Sequence, residues 1–321
     1  MPSSIAYICY DICVRVYRRI GPLSVLLLLL SACGGEDLPE VSLAAGERPA
    51  ATAEREQGAE PLRILLLSIT SPKREFSRHE DLVRYIGRQL GRPVDIHQRV
   101  TYAEGNSLVE SRAVDAAFIC SGPYIDARHK FGAEMLAVPV IDARTTYRSY
   151  LIVRKDSPIK TFEQLRGKSF AYTDPLSTTG WLYPNWLITQ QRGNPATYFS
   201  RTFYTHGHDN SIRAVADGLA DGAAVHSIIL AQIARSDPSL VGKVQIINQS
   251  SKFGMPPVVV HPGLDTELKR RLRDAFLGMH HDAEGKKLLA AAGIDRYTRL
   301  PDSAYDSVRR MWTTVQEYQR K

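Results

Sequence analysis

The feature that most constrains the fold is a regular alternation of short apolar segments with amphipathic ones, which begins at Leu62. The first unit has an apolar run over 62–68, apolar residues at helical spacing over 77–90, a stop at Gly91 and a further strand over 93–99. Repeated strand–helix units of this kind predict an α/β fold with mainly parallel sheets and right-handed crossovers. Ligands of such folds bind at the carboxyl ends of the strands.

The same alternation continues along the rest of the chain. The further predicted strands cover 114–120, 132–141, 147–153, 169–173, 202–204, 222–226, 243–248 and 257–260. The further predicted helices begin near Tyr102 and cover 178–191, 208–219, 227–235, 265–279, 283–292 and 303–318.

The first part of the chain is typical of an export signal. Three arginines within 15–19 precede an apolar run over 23–30, which is too short to span a bilayer. The tetrapeptide Leu30-Ser31-Ala32-Cys33 that follows resembles a bacterial lipobox, in which the cysteine is lipidated and becomes the mature N-terminus. We therefore expect a lipoprotein signal peptide over 1–32 and a lipid on Cys33 that anchors the protein at the periplasmic or extracytoplasmic face of a membrane. A plain signal peptide with an incidental cysteine is the alternative.

Charge and cysteine content narrow the class of protein. The formal net charge is +7, and the three arginines and one aspartate before Cys33 leave +5 on the rest of the chain. Because these charges form no run of lysines and arginines with interleaved aromatic residues, we expect no nucleic-acid partner. Cys120 is the one cysteine beyond Cys33, so we expect a buried thiol, no disulfide, no metal and no cofactor.

Composition also indicates the domain organisation. Residues 33–60 are rich in Ala, Gly and Glu and lack apolar periodicity, which predicts a flexible tether ahead of a folded body. Within that body, the segment Lys155-Asp156-Ser157-Pro158 predicts a junction between two lobes, because a proline and its neighbour do not easily continue a strand or a helix.

The most specific local feature is the segment Asp174-Pro175-Leu176-Ser177-Thr178-Thr179-Gly180, which follows a predicted strand and opens a predicted helix. The first turn of a helix presents unpaired N–H groups and the positive end of the helix dipole. Ser177, Thr178 and Thr179 add three hydroxyls at that point, and Gly180 permits close approach. The combination favours a site for a tetrahedral oxyanion. A helix cap without a ligand is the alternative.

A second segment, Thr205-His206-Gly207-His208-Asp209-Asn210, also follows a strand and opens a helix. At that position the imidazole of His208 could donate a hydrogen bond to an anion. Taken alone, such a histidine is more often a capping or surface residue.

The order of these features resembles that of the phosphonate, phosphite and phosphate substrate-binding proteins of ABC transporters. The resemblance covers roughly residues 62–315. It rests on Val114-Asp115-Ala116-Ala117 with Tyr124, Tyr150-Leu151-Ile152-Val153 followed by Lys155 to Pro158, Phe162 with Leu165, Gly167 and Lys168, the hydroxyl segment with Pro184 after it, the pair His208-Asp209, and Pro256-Pro257-Val258-Val259-Val260.

The resemblance implies the type II periplasmic-binding fold, in which two α/β lobes are joined by two crossings and close on a ligand. The crossings would lie near 150–153 and 250–256. Lobe I would then comprise 61–150 and 255–321, and lobe II 151–254. The resemblance also implies a binding protein rather than an enzyme, one that acts as a monomer and delivers a small oxyanion to the permease of an ABC importer.

Candidate ligand contacts follow from the same resemblance. The oxyanion site falls on Ser177, Thr178 and Thr179, and its imidazole donor falls on His208. Aromatic contacts fall on Tyr102 and Tyr147, whose phenols could donate to an oxygen while their rings wall the pocket.

Two positions depart from the pattern of aminoalkylphosphonate binders, which hold the ligand amine with carboxylates. Met255 stands at a position where binders of this kind can carry Asp, and His226 ends a strand where an amide or acidic residue is common. We include His226 among the ligand-contact candidates, with a structural rim histidine as the alternative. The departures favour a smaller or differently substituted anion.

Two other functions stay open at this stage. Ser177, His208 and Asp209 could be imagined as a hydrolase triad, although the G-x-S-x-G elbow is missing. The same cleft could also serve a sensing protein that signals to a membrane partner such as a sensor kinase.

Overall fold

The computed structural model describes residues 59–320. The predicted signal peptide, the lipid on Cys33 and the tether up to residue 58 lie outside these residues. Within the described part of the chain, no helix is both long enough and apolar enough to cross a membrane.

Between residues 59 and 320 the alternating pattern folds into thirteen strands and ten α-helices. The strands are β1 (Leu62–Leu67), β2 (Val94–Arg99), β3 (Ala116–Phe118), β4 (Glu134–Val140), β5 (Thr146–Tyr147), β6 (Ser149–Arg154), β7 (Ser169–Tyr172), β8 (Arg201–Tyr204), β9 (Gly222–His226), β10 (Val244–Gln249), β11 (Phe253–Gly254), β12 (Val258–Val260) and β13 (Arg296–Thr298). The helices are α1 (Pro72–Leu90), α2 (Tyr102–Glu110), α3 (Ser121–Phe131), α4 (Tyr183–Gln190), α5 (His208–Ala216), α6 (Ser227–Ser236), α7 (Pro238–Val241), α8 (Thr266–Gly278), α9 (Ala283–Ala292) and α10 (Asp306–Gln319).

Lobe I is built on a six-stranded sheet with the order β13-β4-β12-β3-β1-β2. β1 pairs in parallel with β2 and β3, as strand–helix units require, whereas β12 and β13 pair antiparallel with their neighbours. Five of the six residues of β1 are buried, which explains why this strand is a continuous apolar run rather than an alternating one.

Lobe II is built on a five-stranded sheet with the order β10-β6-β9-β7-β8. Its central strand β9 is parallel to β7 and antiparallel to β6, and all five of its residues are buried. The α/β fold class with two lobes is thus confirmed. The expectation of mainly parallel sheets is wrong: of the nine strand pairings in these two sheets, four are parallel and five are antiparallel. Cys120, directly before α3 in lobe I, is buried as expected.

Two crossings join the sheets, through residues 141–148 and 250–257. They contact each other as a small antiparallel ladder, in which β5 pairs with β11. The first crossing thus precedes the expected segment 150–153, which belongs to β6 and lies wholly in the sheet of lobe II. The second crossing coincides with the expected segment 250–256.

The predicted lobe junction at Lys155 to Pro158 is wrong. The amide of Lys155 donates to the carbonyl oxygen of Lys243, 2.7 Å away, so this segment stays in lobe II beside β10. Pro158 therefore lies in a turn that follows β6 within lobe II and does not mark a boundary between lobes.

Helix α3 was not predicted from the sequence. Its segment begins Ser121-Gly122-Pro123, which are turn-forming residue types, and its apolar and polar residues do not separate onto two faces. Proline is nevertheless well tolerated in the first turn of a helix, where its missing N–H costs nothing. This helix is one of the elements of lobe I that face the hydroxyl segment of lobe II.

The C-terminal helix α10, expected in lobe I, also contacts α4 of lobe II. Its last residues, Tyr318 and Gln319, line a groove together with Trp181 and Asn185. The end of the chain therefore contacts both lobes, in addition to the two crossings.

Candidate functional site

The hydroxyl segment lies where β7 ends and the next helix begins. Residues Thr178–Leu182 form one wide helical turn, which continues directly into α4. The hydroxyl of Ser177 caps this turn by accepting the N–H of Gly180 at 3.0 Å. A β-carbon on Gly180 would lie 2.2 Å from the Thr173 hydroxyl, so only glycine fits between the two. The predicted helix start is therefore present, and its hydroxyls are held close to the strand end.

This helix start faces lobe I. The side chains of Ser177, Thr178 and Thr179 are 0% exposed. Lobe I covers them, because a β-carbon on Gly122 would lie 1.9 Å from the carbonyl oxygen of Leu176 and 3.1 Å from the amide nitrogen of Thr178. The hydroxyl segment thus forms part of the boundary between the lobes, in a closed arrangement.

A second helix start meets the first one from the opposite side. Ser121 is the first residue of α3, and its hydroxyl oxygen lies 3.0 Å from that of Thr178. The same Ser121 hydroxyl is hydrogen-bonded to the phenol of Tyr147, which comes from the crossing strand β5. Because the positive ends of both helix dipoles point at this spot, it suits a negative group.

Tyr147 was predicted as a ligand contact from the sequence, whereas Ser121 was not. The signal was present: Ser121 follows a buried strand and opens a helix, as Ser177 does. The Gly122-Pro123 pair concealed it by making the segment look like a loop.

His208 is the first residue of a third helix, α5, and it is fully buried. Its Nδ1 accepts the backbone N–H of His226 at 3.4 Å, so in the neutral ring Nε2 carries the proton. Nε2 lies 3.4 Å from the hydroxyl oxygen of Thr179. Burial lowers the pKa of His208 to about 3, so the ring is neutral near pH 7. Ser121, Tyr147, Thr178 and Thr179 form what we call the hydroxyl cluster. The neutral ring of His208 therefore offers this cluster an N–H donor rather than a positive charge.

His226 forms one wall of the same cluster. Its ring stacks on Tyr147 with centroids 4.0 Å apart, and its Nδ1 accepts the N–H of Ile228 at 3.2 Å, which caps α6. Both the capping role and the contact with the cluster are thus present.

Tyr102 lies at the same boundary between the lobes and is 0% exposed. Its backbone N–H donates to the Asp174 carboxylate in lobe II at 3.0 Å. The same carboxylate accepts the N–H of Leu176 at 2.8 Å. Burial raises the pKa of Asp174, since the charged carboxylate is poorly solvated there. The contact links the start of α2 to the segment that carries the three hydroxyls.

Ser68 is a further buried hydroxyl residue, one position before the contact that Ile69 makes with His208, and the sequence pattern did not indicate it. It follows β1, is 0% exposed, and its hydroxyl has no hydrogen-bond partner among the described residues. The next residue, Ile69, accepts the N–H of His208 through its carbonyl oxygen at 3.0 Å. A buried hydroxyl left without a partner is costly unless a ligand or water satisfies it.

The seven predicted contact residues therefore come together at one boundary. A chain of contacts runs from Thr178 through Ser121 to Tyr147, on to His226 and His208, and back to Thr179. Ser177 adjoins this chain, and Tyr102 reaches it through Asp174. Across residues 59–320, no three side chains of His, Cys, Asp or Glu are grouped so that they could hold a metal ion.

The geometry does not assemble the alternative hydrolase triad. The ring nitrogens of His208 face Thr173 and Thr179, not Ser177. The Asp209 carboxylate accepts the N–H of Ser71 at 2.9 Å and lies 3.6 Å from Arg74, so it joins the lobes instead of orienting His208.

The chain is similar to known proteins in sequence and in fold. Residues 64–305 match the family described as "ABC transporter, phosphonate, periplasmic substrate-binding protein". The phosphonates-binding periplasmic protein of Escherichia coli is 26% identical over 246 residues, which are 75% of this chain and 72% of that protein. A phosphate-import protein of Mycolicibacterium smegmatis is 24% identical over 278 residues, 82% of each chain.

Solved structures share the fold. The binding-protein component of an ABC phosphonate transporter from Pseudomonas aeruginosa superposes with a TM-score of 0.76 at 24% identity, over 81% of this chain and 88% of that one. A Prochlorococcus marinus protein in complex with methylphosphonate gives a TM-score of 0.70 at 14% identity, over 80% of this chain and 98% of that one.

Proposed function

Because the chain belongs to the periplasmic phosphonate substrate-binding proteins of ABC transporters, we propose that it captures a phosphonate, phosphite or phosphate between its lobes and delivers it to an ABC importer. The family is a transporter component that works outside the cytoplasm and is not an enzyme. Relatives named for phosphonate binding and for phosphate import support this range of ligands.

One observation carries the proposal: the hydroxyls of Ser121 and Thr178 face each other at 3.0 Å across the lobe boundary. Each belongs to the first residue of a helical segment, so backbone N–H groups and a positive dipole end accompany each hydroxyl. A tetrahedral oxyanion that bonds to both hydroxyls from one side would take hydrogen bonds from both lobes at once. The ligand would enter when the lobes part and would favour the closed arrangement by bonding to both.

The donors are suited to an anion in a buried place. Thr178, Thr179 and Ser121 supply hydroxyls, Tyr147 supplies a phenol and His208 supplies a neutral imidazole N–H. Hydrogen bonds to a charged acceptor are roughly twice as strong as neutral ones, because the local dielectric is low and the acceptor is ionised. Such a set binds the anion without a metal.

The mature protein acts, in this proposal, as a monomer attached to the membrane by a lipid on Cys33. The lipobox-like tetrapeptide and the tether-like composition of residues 33–60 support the anchor. The long tether would let the lobes reach a permease while the lipid stays in the membrane.

A ligand panel in a thermal-unfolding assay tests the proposal. Purified protein without its signal peptide is mixed with phosphate, phosphite and methylphosphonate, with glutamate as an anionic control that has no tetrahedral phosphorus group. We expect at least one phosphorus oxyanion to raise the melting temperature in a concentration-dependent way, and glutamate to leave it unchanged. A panel in which no phosphorus oxyanion shifts the transition would overturn the proposal.

A further inference from the structure

An apolar cavity of about 80 Å³ lies between the lobes beside the hydroxyl cluster. Lobe I contributes Phe118 and Ile119, lobe II contributes Ile228 and Ile229, and the second crossing contributes Met255. Most of the lining surface is hydrocarbon.

The cavity shares residues with the proposed oxyanion site. The ring of His226 lines it and also stacks on Tyr147, whose phenol is hydrogen-bonded to Ser121. Ile69 lines it too, while its carbonyl oxygen accepts the N–H of His208. Ile119 stands two residues before Ser121 in the chain. A group attached to an oxyanion at the hydroxyl cluster would therefore extend into this cavity.

The chemistry of the lining selects among such groups. No carboxylate is among the described residues that line the cavity, whose members with polar side-chain atoms are His79, His226, Gln232 and Tyr297. An ammonium group there would lose water without gaining a counter-charge, which is unfavourable in an apolar place. A hydrocarbon group would gain from leaving water.

We propose that the natural ligand is a phosphonate with a short apolar substituent, which this cavity holds while the helix starts hold the phosphonate oxygens. This proposal rests on the proposed function. It specifies the substituent on phosphorus, which the proposed function leaves open. The volume sets the length: an apolar cavity of about 150 Å³ can hold benzene, so one of about half that size suits a chain of a few carbons.

Direct titration with a series of phosphonates tests the proposal. The series is phosphate, methylphosphonate, ethylphosphonate, propylphosphonate and octylphosphonate, measured by calorimetry on the whole mature chain. We expect affinity to rise about fourfold for each methylene up to propyl, the gain for burying one CH₂, and to stop rising before octyl.

The decisive pair is propylphosphonate and 2-aminoethylphosphonate, which have the same number of non-hydrogen atoms and differ in the terminal group. We expect the propyl compound to bind at least about tenfold more tightly, since the ammonium group finds no carboxylate. Equal or tighter binding of the amino compound would overturn the proposal, as would an affinity that does not increase from methyl to propyl. If neither phosphate nor any phosphonate binds, the proposed function itself fails.

A pair of variants localises the effect. Ile228→Asp puts a carboxylate on the cavity wall in the first turn of α6, where the helix dipole favours an acid. It should shift the preference toward 2-aminoethylphosphonate at least tenfold. Leu219→Asp, at a position 60% exposed, is the matched control and should leave the preference unchanged. If Ile228→Asp folds with an unchanged preference, the cavity does not hold the substituent. The wild-type series decides the proposal if that variant does not fold.

Discussion

The hydroxyl oxygen of Ser121 lies 3.0 Å from that of Thr178, and this contact joins the first residues of two helical segments that belong to different lobes. Neither lobe alone provides both groups. A ligand that bonds to both hydroxyls therefore binds more tightly when the lobes are closed, so binding and closure are coupled in one equilibrium. The predictions below test that coupling and the chemistry around it.

The close approach of the lobes depends on the absence of a side chain at Gly122. A β-carbon there would lie 1.9 Å from the carbonyl oxygen of Leu176 across the boundary. We expect Gly122→Ala to destabilise the closed arrangement by about 1–3 kcal/mol, the usual cost of overpacking, and to weaken methylphosphonate binding accordingly. Titration calorimetry measures the change.

Gly278→Ala is the matched control for that variant, because a β-carbon at Gly278 meets no atom within 4 Å. It should bind as the wild type does. Unchanged affinity in Gly122→Ala would show that the closed contact is not part of the bound state.

The burial of His208 predicts a dependence of stability on pH. Its pKa is about 3 in the folded chain and about 6.5 in the unfolded one, so the unfolded state binds the proton first as pH falls. The group's contribution is fully present above pH 6.5 and is lost progressively toward pH 3, by up to about 1.4 kcal/mol per pH unit. Urea unfolding at several pH values measures the slope.

His208→Gln should flatten that slope between pH 6.5 and 3, since the titrating ring is gone. Exposed Leu219→Gln, which removes no titrating group, serves as the control and should keep the wild-type slope. The slopes of the two variants are compared with each other, because other groups of the protein titrate in the same pH range. Equal slopes in wild type and His208→Gln would contradict the neutral, buried state of this ring.

The Ser68 hydroxyl has no hydrogen-bond partner among the described residues, which predicts opposite effects on stability and on binding. Ser68→Ala should leave the ligand-free protein as stable as the wild type or more stable, because an unsatisfied buried hydroxyl is removed. If a ligand oxygen accepts from Ser68, the same change should weaken binding by about 1.5–3 kcal/mol. Thermal unfolding with and without phosphate separates the two effects.

Ser107→Ala on the exposed face of α2 is the control for Ser68→Ala and should change neither quantity by more than about 0.5 kcal/mol. A clear loss of stability in ligand-free Ser68→Ala would mean that the hydroxyl already has a partner.

The sequence allowed the local parts of the site to be predicted, but not their assembly. Ser177 to Thr179 and His208 were recognisable because each follows a strand and opens a helix, a pattern that needs only neighbouring residues. Ser121 has the same surroundings, yet the glycine and proline after it indicate a turn equally well. The contact between Ser121 and Thr178 spans 57 positions and two lobes, so no local pattern could reveal it.

The fold shows a similar division. The alternation of strands and helices predicted the α/β architecture, since it reflects burial within each unit. The positions of the crossings were harder to predict, because the segment Lys155 to Pro158 is a turn after β6 that stays within its lobe. The apolar cavity beside His226 was also beyond local reasoning, although the methionine at 255 indicated that a carboxylate is missing there.

The most direct test of the central claim is the dissociation constant of methylphosphonate for the Thr178→Val variant, measured by calorimetry beside the wild type. Valine keeps the shape of threonine and removes its hydroxyl, so the variant loses one hydrogen bond to a charged acceptor, worth about 1.5–3 kcal/mol. We expect Thr178→Val to bind methylphosphonate more weakly than the wild type by about tenfold or more. Equal dissociation constants for the two proteins would contradict it.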